Sequence, residues 1–207
     1  MSNEKNFYQA DNDARTNAYF GNVFGPETWK IMDGYALGAK FLIEKAIEEH
    51  ERDTLIYPVC FLFRHYIEIA IKETYIKLKE FKGEVVDRQK IGGHNLDRKE
   101  LHEMASDIKE LWEWEEFPQD VVEIIKSVDE IDSNGQFFKY THDRQGNPLR
   151  DESHNLIGYQ ALYEKIETVY KFFNGLNAAL DHYIEVKAEM EAEARQAMYE
   201  HYGNGDY

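Results

Sequence analysis

Arg64, His65, Glu68 and Lys72 fall within the most apolar stretch of the chain, LIYPVCFLFRHYIEIAIKETYIKL. Helical residues advance about 100° each, so Arg64, Glu68 and Lys72, spaced by four, form one row with His65 at its margin. Their neighbours Leu62, Phe63, Ile67, Ile69 and Ile71 are apolar. A charged row on such a helix needs partners, because a buried unpaired charge is costly. Two arrangements meet that need. One is an internal ladder of Arg64, Glu68 and Lys72 ion pairs one turn apart. The other is a face that binds an anion or contacts RNA. Arg64 and Glu68 are expected to pair with each other, with His65 and His94 near the same end of the fold.

His94 follows Gly92-Gly93 and precedes Asn95-Leu96-Asp97, just before a helix start. A histidine there can hydrogen-bond and help cap the helix, with Asn95 or Asp97 as the N-cap. Metal chemistry has little to work with. His102-Glu103 lacks the second histidine of a zinc-protease helix. The run Glu130-Ile131-Asp132-Ser133-Asn134-Gly135 resembles the start of a calcium loop. It begins with Glu instead of Asp, and its twelfth position, Thr141, offers no bidentate carboxylate. No phosphate-binding glycine loop, G-x-S-x-G or credible Cys–His pair occurs, so neither a metal nor a cofactor is expected.

The elements that must position these residues read as helices. Trp29, Met32, Ala36, Phe41 and Ile43 mark one from Glu27 to about Arg52, and Gly34 and Gly38, four apart within it, imply close helix packing. Asp53-Thr54 offers an N-cap for the apolar stretch, which runs from Leu55 to about Phe81 with Pro58 in its first turn, and reads as central and buried. A loop over 82–95 leads to a helix from Asp97 to Glu116 with Leu101, Met104, Ile108, Leu111 and Trp112 on one face. Val121, Ile124, Ile125, Val128 and Ile131 form a shorter helix after Pro118. Residues 136–150, QFFKYTHDRQGNPLR, read as a short β-hairpin or an ordered loop. A long helix follows from Leu156, with apolar positions persisting to Tyr183 and Ile184. The expectation is an all-α fold, a compact bundle of about five helices with a long C-terminal helix. Its parts are an N-terminal arm over 1–25, the bundle over 26–184 and an acidic helical extension over 185–207.

The totals agree with one globular domain. Hydrophobic residues make up 43% and aromatics 14% of 207 residues, too rich for a disordered chain. Cys60 is the only cysteine, which excludes an intramolecular disulfide framework. No signal peptide is read at the N-terminus, and no apolar stretch approaches the roughly 18–20 residues of a membrane span, so a cytoplasmic protein without a membrane partner is expected. The net charge of −16 opposes non-specific binding to nucleic acid. It fits either simple solubility or a nucleic-acid mimic. Charge is uneven: residues 77–99 carry seven basic groups against four acidic ones, and residues 103–132 carry eleven acids against Lys109 and Lys126. The stretch 77–99 is therefore where an anion could approach.

Three stretches, YPVCFLFRHYIEIAIKETYIKL, GGHNLDRKELHEM and DSNGQFFKYTHDRQGNPL, resemble bacterial and phage proteins of the HEPN-like class over roughly residues 55–180. The likeness rests on Arg64-His65 with Glu68 and Lys72, on Gly93-His94 with Leu96, and on Phe138-Lys139-Tyr140. Lys139 and Thr141 depart from the Arg and Pro of the class. The resemblance implies a bundle of about four or five helices, often dimeric. Ribonuclease-active members carry Arg, four to six residues, then His. The arginine holds the scissile phosphate, and the histidine moves protons while the RNA 2′-hydroxyl attacks, without metal. Arg88 to His94 and Arg195 to His201 fit that spacing, but Gly92 and Gly93 interrupt the first and the second lies in the acidic tail. The first expectation is accordingly a HEPN-like binding or regulatory protein of a bacterial defence or mobile-element system. Its binding residues would be Arg64, His65, Glu68, Lys72 and His94. The alternatives are a metal-independent endoribonuclease toxin with Arg88 and His94 as catalytic candidates, and an acidic phage-encoded inhibitor that mimics nucleic acid. A homodimer, joined along the last helix, is expected, with RNA or another protein as partner.

Overall fold

A computed structural model describes residues 12–19, 21–22, 27–112, 117–150 and 156–203; the side chains of residues 112 and 201–203 lie outside the description. Among the described residues five α-helices carry the fold: α1 (Glu27–Glu48), α2 (Arg52–Phe81), α3 (Lys99–Trp112), α4 (Gln119–Ile131) and α5 (Tyr159–Gly203). Single 3-10 turns occur at Ala14–Thr16 and Arg88–Lys90. Among the described residues there is no strand. Residues 136–150 form the ordered loop and not the hairpin, with one antiparallel bridge between His142 and Pro148. Asp143 holds that loop by accepting the Gln145 and Asn147 N–H groups at 2.9 and 2.8 Å.

α2 is the central element, packed by α1, α3 and α5. Val59, Phe63, Tyr66, Ile67, Ala70 and Ile71 are all buried, which is why its apolar residues cover most of its circumference. By length and composition α2 alone among the described helices could cross a bilayer, a correction to the reading that no segment qualifies; here it is the core of a bundle. It begins at Arg52, three residues before the expected start, and Asp53 and Thr54 lie inside it; the Glu51 side chain makes no capping bond. Pro58 is consequently its seventh residue and deletes the rung to Thr54, whose exposure leaves that carbonyl to solvent.

α1 folds back on α2 through a short turn in which His50 takes φ 60°. Ala36, Ala39, Ile43 and Ala46 form its buried face. The close packing expected at both α1 glycines occurs at one: a Cβ on Gly38 would meet Leu62 Cδ1 at 3.5 Å, whereas Gly34 faces open space. α5 buries Ile166, Val169, Phe173, Leu176 and Leu180 against the bundle. Leu156, expected at its start, is 97% exposed and precedes it. Beyond residue 184 the helix continues unbroken and exposed to residue 200. Its 45 residues span about 67 Å at 1.5 Å each, longer than the bundle it packs on. Pro26, Glu116 and the last four residues, 204–207, lie outside the described residues.

Candidate functional site

The Arg64 row is withdrawn from water and bound to three segments at once. The Arg64 side chain is 3% exposed. Its Nε donates to the Asp132 carbonyl at 2.7 Å and lies 3.4 Å from that residue's carboxylate. Nη1 donates to Glu68 Oε2 at 2.9 Å, and Nη2 to the His94 carbonyl. The fork of guanidinium donors thus ties α2 to the loop before α3 and to the corner after α4. Gly135 makes room for it: φ is +70°, and a Cβ there would stand 3.1 Å from Nη1.

Glu68 is the acceptor hub. Lys72 Nζ donates to Oε1 at 2.7 Å, and His94 Nδ1 lies 3.2 Å from the same oxygen. Burial pushes the Glu68 carboxyl up, but hydrogen bonds from Lys72 and Arg64 and the charges of Lys72 and His94 outweigh it and hold its pKa at about 2. His94 is the one largely exposed member, with a side chain 64% accessible. It docks on α2 and does not cap α3. Nor does Asp97 act as that cap; it pairs with His102 at 2.9 Å.

The structure brings Arg64, Glu68, Lys72 and His94 together and sets His65 apart. The His65 ring lies edge-on to Tyr35 at 4.6 Å and stacked on Phe61 at 5.7 Å. Burial depresses its pKa, assisted by the cations of Lys139, Arg64 and Lys72 against the opposing pull of Glu68. It behaves as an aromatic packing group.

Arg88 and His94 are held by different sides of α2. Arg88 pairs with Glu73 at 3.2 Å, and His94 with Glu68. Five helical residues separate those two acids by about 140° around the axis. Arg195 and His201, six apart on the continuous α5, are separated by about 120°, and Arg195 faces Glu191 at 3.9 Å. The stretch 77–99 is also neutralised: each of its seven cations has a carboxylate within 4 Å. Lys79 and Lys82 share Asp107 at 2.8 and 2.6 Å, Lys77 takes Asp181 at 2.6 Å, and Arg98 takes Glu100 at 2.8 Å. Lys90 and Lys99 take Asp87 and Glu103, and Arg88 takes Glu73.

Sequence spacing missed two features. The run that resembles a calcium loop folds on itself: Asp132 Oδ1 accepts the Gln136 and Phe137 N–H groups at 2.7 and 3.0 Å, and among the described residues no group of three metal-ligating side chains converges. The acid that mimicked a ligand position is a turn and Arg64 acceptor. The second feature is a cavity of about 230 Å³ where α1, α2 and α5 meet, with Trp29, Met32, Tyr66, Ile76 and Tyr170 among its walls. No motif marks it, because its lining comes from three helices distant in sequence. Compared with known proteins, the chain matches no family model, no curated protein and no solved structure.

Proposed function

We propose that this chain is a non-catalytic binding or regulatory protein of the HEPN-like class, acting in a bacterial defence or mobile-element system. The observation that carries the non-catalytic reading is the engagement of Arg64: Nε, Nη1 and Nη2 each serve an internal acceptor, and Gly135 closes over the guanidinium. A phosphate clamp needs donors aimed at the ligand, whereas the Arg64 side chain is 3% exposed and all three of its nitrogens are engaged inside the protein. The separation of Arg88 from His94 around α2 argues the same way. The assignment to the class and to its setting rests on the three stretches that resemble it. The mimic reading loses ground because Asp107, Asp129 and Asp132, within the most acidic stretch, are buried instead of forming an outward row. The test is RNA cleavage without metal by the wild type, Arg88→Ala and His94→Ala. No cleavage above background by any of the three is expected. Wild-type cleavage abolished in either variant would promote the ribonuclease.

The protein acts as a homodimer in this reading, through α1. The apolar row of α5 is consumed inside its own bundle as far as Leu180, with Ile166, Val169 and Phe173 all at 0% exposure. α1 instead leaves Ile31 41% and Phe41 61% exposed. Those two belong to one row with Glu27, Gly34 and Lys45, at the spacing of a helix seam. That row is self-complementary. Antiparallel copies about a two-fold axis set Glu27 against Lys45 and Ile31 against Phe41. Lys45 also reaches Glu48 and Glu49 at 3.2 and 3.3 Å, exposed pairs that a partner's Glu27 would share. Light scattering at micromolar concentration should give the mass of two chains for the wild type and of one for Phe41→Glu. A monomeric wild type would refute the dimer.

A further inference from the structure

We propose that the cavity between α1, α2 and α5 is a binding site for a small organic cation with an apolar body, a primary amine on a short aromatic or aliphatic frame. This assignment stands apart from the HEPN-like reading and requires neither the class nor the dimer.

The first observation is a hydroxyl with no protein partner. Tyr66 lines the cavity and is 1% exposed, yet its hydroxyl makes no hydrogen bond with any described residue. The oxygen is not among the buried atoms closed off without a partner; it opens on the cavity, and what fills that space completes its hydrogen bonding. Its ring lies 6.0 Å from that of Tyr170, whose own hydroxyl is already spent on Asp33 Oδ1 at 2.9 Å. Asp33 and Tyr170 both push the Tyr66 hydroxyl further towards its protonated form, which burial already favours. The Tyr66 oxygen therefore remains a hydroxyl, able to donate or accept.

The second observation is the charge left over. Four carboxylates border the cavity, those of Asp33, Glu73, Glu80 and Asp181, against the two cations Lys77 and Arg88. Lys77 is held by Asp181 at 2.6 Å and Arg88 by Glu73 at 3.2 Å. Among the described residues, neither Asp33 nor Glu80 has an ion-pair partner. Lys40, which stands over the Tyr170 ring at 4.6 Å, is taken up by Glu167 at 2.6 Å. An anion entering here would meet paired cations and free carboxylates, whereas a cation would meet the reverse. The net charge of −16 draws cations towards the molecule as a whole.

The walls supply the rest of the selectivity. Trp29, Met32, Ile76 and the two tyrosine rings make an apolar enclosure, and aromatic faces attract an ammonium group. At about 230 Å³ the space lies below the roughly 300–1,000 Å³ of drug-sized sites, which limits the ligand to a small molecule. The ammonium group would donate to Asp33 and to the Tyr66 oxygen, while the body packs between Trp29 and Ile76.

The test is calorimetric titration of the full chain at neutral pH with phenethylamine, cyclohexylamine and agmatine, beside the neutral isostere 2-phenylethanol. At least one amine should bind, and 2-phenylethanol should bind about tenfold or more weakly than phenethylamine, since a charge-assisted contact is lost. Asp33→Asn should weaken the amine by about tenfold and Tyr66→Phe by several-fold, consistent with loss of one hydrogen bond to a charged group. Tyr66→Phe breaks no internal bond, so its melting temperature serves as the control that the cavity is intact. No heat with any amine at millimolar concentration overturns the proposal. So does equal affinity for 2-phenylethanol and phenethylamine, or unchanged amine affinity in both folded variants.

Discussion

Arg64 and Tyr66 are two residues apart on α2, and about 200° of rotation sends them to opposite sides of the same helix. Both are buried, at 2% and 1% exposure. On the Arg64 side each guanidinium nitrogen has an acceptor drawn from α2 or from two separate loops. On the Tyr66 side a hydroxyl faces a cavity with no acceptor of its own among the described residues. The difference teaches where to look for function on this helix. A polar group that is fully satisfied internally is a structural tie, however much its residue types resemble a reactive site. A hydroxyl on an equally buried side chain that opens on a cavity, with no protein partner, is where a ligand fits.

Removing Arg64 should produce the largest effect. Arg64→Ala strands Glu68, the Asp132 carbonyl and the His94 carbonyl together, and should cost about 3–5 kcal/mol, as for a buried pair that loses one partner. Urea unfolding checks this, and a loss below about 1 kcal/mol would mean that the three segments are not joined through the guanidinium.

Acid should weaken the same tie. The folded pKa of Glu68, at about 2, lies below its ordinary value of 4.5, so its stabilisation is complete above pH 4.5 and disappears as pH falls towards 2. Up to about 3 kcal/mol should be lost across that window. Glu68→Gln should flatten this part of the pH–stability curve relative to wild type, and an identical curve for the two proteins would contradict the coupling.

Gly135→Ala comes next. It places a Cβ 3.1 Å from Arg64 Nη1 and forces alanine to φ +70°. A cost of about 1–3 kcal/mol is expected, and a chemical melt indistinguishable from wild type would show that the corner yields freely. The smallest effect belongs to the other side of the helix. Tyr66→Phe should leave stability within about 0.5 kcal/mol of wild type, or raise it slightly, because no internal bond is broken. A loss of 2 kcal/mol or more would reveal a hidden structural partner and erase the contrast with Arg64.

Helix identity and order were legible in the sequence because they depend on local periodicity. The buried run of α2, the Leu101–Met104–Ile108 face of α3 and the Ile166–Phe173–Leu180 row of α5 all repeat at helical spacing and are all buried. The pairing of Arg64 with Glu68, and of Glu68 with Lys72, was legible for the same reason, since residues four apart on a helix are neighbours. Boundaries were less so: Asp53-Thr54 looked like a cap but lies inside α2, because α1 ends early at Glu48 and the helix begins before them.

What the tertiary structure alone decided is what the polar residues face. His94 reads as a cap on α3 from its neighbours, yet it stands against Glu68, 26 residues earlier. Asp132 and Gly135 read as the opening of a cation loop, yet they receive and shelter an arginine some 70 residues away. The cavity draws Trp29 from α1, Tyr66 and Ile76 from α2 and Tyr170 from α5. The physical reason is range. Helical periodicity is set by interactions within a turn or two of chain and leaves its mark on residue spacing. The partner of a buried donor is set by how whole helices dock, and residues brought together from opposite ends of the chain carry no spacing that records it.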